Sequence, residues 1–243
     1  VEAYHAGRWD DALEYQRRNK ETRERAGDVI GAAIAEYNRG LILVDQGRLE
    51  EAEFAFTEVL RVCRAANYVA GAAAASGNLG IVAARYGDFD RADELMHDAL
   101  QQFTDLGAEY FELDTRLRIA ERHLLAGDHE AALQAADTTL ERAEASEGTG
   151  PVRIGLLRVR GCAHTASGRP QMAFEPLEAA LDLARAESAE YEAALVQASL
   201  ETARVHLGEP PDPVARDEIL RAEETLGIVA WPEFVPVDKK ALH

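Results

Sequence analysis

Apolar residues along this chain recur at intervals of three and four. Phe89, Ala92, Met96, Ala99, Leu100 and Phe103 are the clearest run, and they draw one apolar stripe along a helix. Alternating β-branched runs joined by Asn-Gly hairpins, the mark of strands, are absent. The helical stretches are punctuated at a fixed step. Five hexapeptides align: Gly7-Arg-Trp-Asp-Asp-Ala12, Gly47-Arg-Leu-Glu-Glu-Ala52, Gly87-Asp-Phe-Asp-Arg-Ala92, Gly127-Asp-His-Glu-Ala-Ala132 and Gly168-Arg-Pro-Gln-Met-Ala173. Their glycines step by 40, 40, 40 and 41, and Gly208 follows 40 later in a degenerate sixth copy. The extra residue falls near 146–151, where Glu-Gly-Thr-Gly-Pro predicts a loop. A second series, Gly27, Asn67 and Gly107, is again spaced by 40 and supplies the residue types that tolerate a left-handed helix end. Each unit therefore reads as helix A, Gly turn, helix B, and a Gly or Asn turn.

Small residues predict how the two helices pack. Gly40, Gly80, Ala120 and Gly161 lie seven before the turn glycines, and Ala12, Ala52, Ala92, Ala132 and Ala173 lie five after. Glycine inside a helix costs about 1 kcal/mol against alanine. Repeating that cost at one register makes sense where another helix must come close. Helices A and B are expected to cross there, with Leu49, Phe56 and Leu60, or Phe89, Met96 and Leu100, filling the surrounding space.

These residues resemble a known family. Asn78-Leu79-Gly80, then Gly87-Asp-Phe-Asp-Arg-Ala92, Met96 and Ala99-Leu100 look like the tetratricopeptide repeat, and the stretch from Asn38 to Leu60 fits apart from Arg39 and Val59. The resemblance runs over about residues 1–225, and its period of 40 implies longer helices than the common form. HEAT repeats share the period but lack the Gly-x-φ-x-x-Ala turn. A narrower similarity, carried by the long helices, the Asp45–Ala52 run and the ending from Leu226 to Pro232, is to the C-terminal repeat tails of large bacterial regulators with an upstream nucleotide-cyclase or signal-transduction ATPase. It implies a chain cut from a longer polypeptide. Val1–Ala6 would then be the remnant of a first helix A.

The resemblance implies an all-α fold, a right-handed superhelix of about five to six antiparallel helix pairs with helices A on the concave side. Neighbouring repeats supply one another's core, so residues 1–226 are expected to form a single continuous array, capped by a helix over about 213–225. Residues 227–243, with Trp231, Pro232, Phe234 and Pro236, are expected to form an extended tail packed on the last repeat, with a groove-bound self-ligand or a disordered tail as the alternatives.

Function in such arrays is capture of an extended segment in the concave groove. Asn38, Asn78 and Arg118 stand nine before the turn glycines, where the family often contacts a ligand backbone or carboxylate; the fourth equivalent is Val159. Leu41, Ile81, Arg122 and Arg158 complete the candidate groove. Bracing of neighbouring helices is the alternative for the two asparagines. Arg116, Arg118, Arg122, Arg153, Arg158 and Arg160 gather on two A helices and would attract an acidic segment. Pairing with Glu112, Asp114 and Glu121 is the competing reading.

Composition narrows the classes. The net charge of −18 argues against nucleic acid and against an anionic membrane surface. No apolar run reaches the roughly 18–20 residues a bilayer span needs. Two cysteines, Cys63 and Cys162, cannot staple a disulfide framework, and a cytoplasmic setting is expected. No Walker loop or Gly-x-Gly-x-x-Gly occurs. His123 and His164 share a register, but two imidazoles fall short of a zinc site, so neither metal nor cofactor is expected. No nucleophile, base and orienter come together, and catalysis by this chain is not expected. The leading expectation is a non-catalytic scaffold for a peptide, a protein segment or an upstream domain of the same polypeptide. The alternatives are an effector sensor controlling an attached ATPase or cyclase, and a self-association module forming a homodimer through its open first repeat.

Overall fold

The structure, a computed structural model, describes residues 8–232. Eleven α-helices are found among them. They are α1 (Trp9–Arg25), α2 (Val29–Asp45), α3 (Leu49–Ala65), α4 (Val69–Arg85), α5 (Phe89–Leu106), α6 (Glu109–Leu125), α7 (His129–Glu144), α8 (Gly150–Ala166), α9 (Phe174–Ala186), α10 (Glu190–His206) and α11 (Pro213–Leu226). A 3-10 turn at Pro170–Met172 precedes α9. The expected remnant at Val1–Ala6, and Phe234 and Pro236 of the tail, lie outside the described residues.

The punctuation read from the sequence is a chain of helix stops. Gly47, Gly87, Gly127, Gly168 and Gly208 all take φ between +73° and +78°. At each, the next amide donates back five residues: Arg48 to Leu43, Asp88 to Ala83, Asp128 to His123, Arg169 to His164 and Glu209 to Arg204, at 2.8–3.1 Å. This satisfies carbonyls that the helix end leaves without partners. Asp88 and Asp128 also cap the following helices through the Arg91 and Ala131 amides. Asn67 (φ 53°) and Ser188 (φ 55°) do the same job at two stops between a B helix and the next A helix. The predicted loop separates α7, ending at Glu144, from α8, starting at Gly150.

Consecutive helices pack as antiparallel pairs, and the A helices α2, α4, α6, α8 and α10 also touch one another in sequence order. That double contact makes the A helices one wall and the B helices its outer layer. The close crossing is present and its occupant is specific. A Cβ on Gly40 would meet the Phe56 ring at 2.7 Å, one on Gly80 the Met96 Cγ at 2.7 Å, and one on Gly161 the Leu177 Cγ at 2.3 Å. The large B-helix residue thus rests on the glycine itself, not merely around it.

The array turns back on itself. Trp9 of α1 and Ile42 of α2 share one apolar cluster with Tyr191, Ala194 and Leu195 of α10, with Ile219 and Leu226 of α11, and with Ile228 and Trp231. Residues 227–232 therefore pack on the last helices and also reach the first described pair, a bridge the repeat pattern does not foretell. No helix among the described residues is long and apolar enough to cross a membrane.

Candidate functional site

Curvature brings the five A helices to one cleft. Its lining includes Val44 and Asp45 of α2, Ile81 and Arg85 of α4, Arg118, Glu121, Arg122 and Leu125 of α6, Arg158 of α8, Tyr191 and Glu192 of α10, and Pro232. The cleft is narrow, with a cavity volume of about 40 Å³, and is open to solvent at its mouth.

The floor is a charged network built across three helices. Arg118 donates to Glu121 at 3.1 Å and lies 3.5 Å from Asp114. Arg158, almost wholly buried, donates to the other Glu121 oxygen at 2.5 Å and stands 4.0 Å from Glu192. Burial would raise the Glu121 carboxyl, yet Arg118 and Arg158 hold it below the usual range. Asp114 and Glu192 are less well compensated, and burial pushes both above the ordinary carboxylate value. Both side chains keep part of their exposure, 33 % and 27 %, although protein surrounds them, and Glu192 lines the cleft. Arg122 is held against Asp93 of α5, with its guanidinium 5.3 Å from the centre of the Phe89 ring. Among the described residues, no three His, Cys, Asp or Glu side chains form a group that would hold a metal ion.

The candidate groove residues have different fates. Ile81, Arg118, Arg122 and Arg158 come together in the cleft lining. Asn78 is buried in the wall, and its amide nitrogen donates to the Tyr37 hydroxyl at 3.0 Å and to the Ala74 carbonyl at 2.9 Å. Leu41 is half-buried against the cluster of Leu43, Phe56 and Leu79, and Asn38 is half-buried on α2. The arginine concentration is largely committed internally: Arg116 to Glu112, Arg118 and Arg158 to Glu121, Arg160 to Asp137.

Asp45, Arg85, Tyr191 and Glu192 were not foreseen as cleft residues, while Pro232 belongs to the tail for which a place in a groove was one alternative. A signal for part of the set does exist. Asp45, Arg85 and Leu125 stand two before the turn glycines, and Ile81 and Glu121 six before, so registers other than the nine-before position face the cleft.

Stacked antiparallel pairs with an inner wall of A helices define an α-solenoid of the superhelical repeat class. Residues 2–65 match the family model of the tetratricopeptide repeat, and the same unit recurs at the forty-residue step through the rest of the described chain. A search of the curated proteins finds no similar sequence. Solved structures do resemble it, 42 chains in number. One is the crystal structure of NprR in complex with its cognate peptide NprX. It is 16 % identical, with a TM-score of 0.67, over 88 % of this chain and 67 % of that one. At that identity the likeness is one of fold.

Proposed function

We propose that this chain is a scaffold that captures an extended peptide or protein segment in the cleft of its inner wall. The observation that carries the reading is the convergence of side chains from all five A helices on one charged cleft. An extended backbone laid across such a wall meets a new helix about every three residues, which is how repeat arrays read segments. The solved NprR complex, with a peptide bound to a protein of the same fold, supports the same class of ligand.

The electrostatics favour a segment with a basic group. Arg118 and Arg158 are already paired with Glu121, so a ligand carboxylate must compete with that ion pair. Glu192, on the cleft lining, gains the most from a cation, because burial works against its ionisation and the Arg pair offsets it only in part. A chain of net charge −18 also draws a basic segment towards it. Asn78 then serves by holding Tyr37 in the wall rather than by touching the segment, and Leu41 by packing behind it.

Selection from a random seven-residue peptide library tests this. Peptides enriched on the wild type are expected to carry Lys or Arg and to lose about tenfold or more in affinity on Ile81→Asp and on Glu192→Gln, while Phe54→Ala on the exposed outer layer leaves binding unchanged. No enrichment, or peptides that bind all variants alike, would overturn it.

A further inference from the structure

Residues 227–232 follow α11 as non-helical chain, and they are held as a bound peptide is held. The Val229 amide donates to the Gln46 carbonyl at 2.8 Å, and the Ala230 amide reaches the same oxygen at 3.4 Å. In return the Gln46 side-chain amide donates to the Leu226 carbonyl at 3.0 Å. The Arg85 guanidinium spans the seam, donating to the Val44 carbonyl at 2.8 Å and to the Ala230 carbonyl at 3.4 Å. On the segment's side every one of these bonds is made to backbone, so the set accepts any extended sequence; selectivity enters through side chains. Ile228 and Trp231 are buried among Trp9, Ile42, Tyr191 and Leu195. The Trp231 ring lies parallel to that of Tyr191 with centroids 6.3 Å apart, and Pro232 reaches the cleft lining.

The turn glycines record how tightly the segment sits. Gly47 and Gly87 share the same φ of +78°. A Cβ on Gly87 would meet nothing within 4 Å, and the same holds at Gly127, Gly168 and Gly208. On Gly47 it would lie 2.4 Å from the Ala230 oxygen and 2.9 Å from the Ala230 nitrogen. Of these five turns, only the one under the segment has no room for a methyl group.

We infer that the surface of Gln46, Gly47, Arg85, Trp9 and Tyr191 is a second docking site, for an extended segment of aliphatic–aromatic–proline sequence, with residues 227–232 as its internal ligand. A partner segment of that chemistry displaces the internal one, frees the first described pair from the last, and widens the mouth of the cleft. The surface shares Arg85 and Tyr191 with the cleft, but the inference does not need the reading of the cleft: its test involves no library peptide.

Two full-chain experiments decide it. Gly47→Ala and Gly87→Ala carry the same backbone strain, so a difference between them isolates the contact with Ala230. Amide exchange across residues 227–232 is expected to rise about tenfold or more in Gly47→Ala and to stay at the wild-type rate in Gly87→Ala. In Trp231→Ala the internal ligand loses its anchor while the site stays intact. A fluorescein-labelled peptide Leu-Gly-Ile-Val-Ala-Trp-Pro, the sequence of residues 226–232, should bind this variant about tenfold or more tighter than the wild type, and the gain should vanish when Gly47→Ala is added. Equal exchange in the two glycine variants, or equal peptide affinity for wild type and Trp231→Ala, overturns the inference. If Gly47→Ala loses helix content by circular dichroism, the peptide comparison between wild type and Trp231→Ala decides alone.

Discussion

Gly40, Gly80 and Gly161, at one register of three A helices, hold places where a single methyl group would collide with a B-helix side chain. At Gly161 an added Cβ would lie 2.3 Å from the Leu177 Cγ, whereas at Gly77 the nearest neighbour, the Ala99 Cβ, is 3.5 Å away, an ordinary contact. Both positions are helical, so both substitutions to alanine gain about 1 kcal/mol of propensity. Overpacking costs about 1–3 kcal/mol where the neighbour cannot retreat. Leu177 is fully buried and has little space to move into. Gly161→Ala is therefore expected to lower stability by up to about 2 kcal/mol, and Gly77→Ala to raise it by up to about 1 kcal/mol, both read from urea midpoints. The recurrence of glycine at one register in the sequence already pointed to a close crossing. It did not reveal that Phe56, Met96 and Leu177 would be the residues that sit on the glycines, because those side chains lie about sixteen residues downstream and the choice among neighbours is made by packing.

Between elements, the ion network ties α6 to α8 and α10, and its members respond differently to pH. Glu121 has a folded value below its unfolded one. Its contribution is complete above the unfolded value and is lost as pH falls through the depressed folded one. Asp114 and Glu192 have raised folded values, so their ionisation opposes folding and the opposition grows as pH rises through those values. Glu192→Gln is expected to raise the urea midpoint at pH 7.5, and the gain should fade below about pH 4, where the unfolded carboxyl is protonated too. Glu121→Gln leaves Arg158 buried without its full partner and should cost about 3 kcal/mol in the same assay, while the pair Glu121→Leu with Arg158→Met should recover much of that loss. The sequence made the local part of this network legible, since Arg118 with Asp114 and Glu121 sit at helical spacing. The cross-helix half, Glu121 to Arg158, joins residues 37 apart and depends on which faces two helices turn to each other. Asn78 is a similar case. The motif located it on the wall, but the bond from its amide to the Tyr37 hydroxyl depends on how α2 and α4 pack.

For the whole molecule, closure is the property that local patterning could not carry. The bond from Gln46 to the Leu226 carbonyl joins residues 180 apart, and no periodicity connects them. An open array frays from its ends because each repeat leans only on its neighbours. Here α1 and α2 also lean on α10, α11 and Trp231. Trp231→Ala is accordingly expected to speed amide exchange in α1 and α2 about tenfold, with α6 to α8 little changed; a uniform change along the chain would contradict the closed arrangement. The two thiols sit in different apolar clusters of this arrangement. Cys63 lies in α3 near the first pair, while Cys162 lies in α8 beside Ser199 of α10, and both are buried. Burial pushes both thiols up, so little thiolate is available at neutral pH and a maleimide must wait for local opening. The sulfur atoms thus act as two natural stopwatches: the order in which they become alkylated tells which half of the spiral breathes first, without any label having to be introduced.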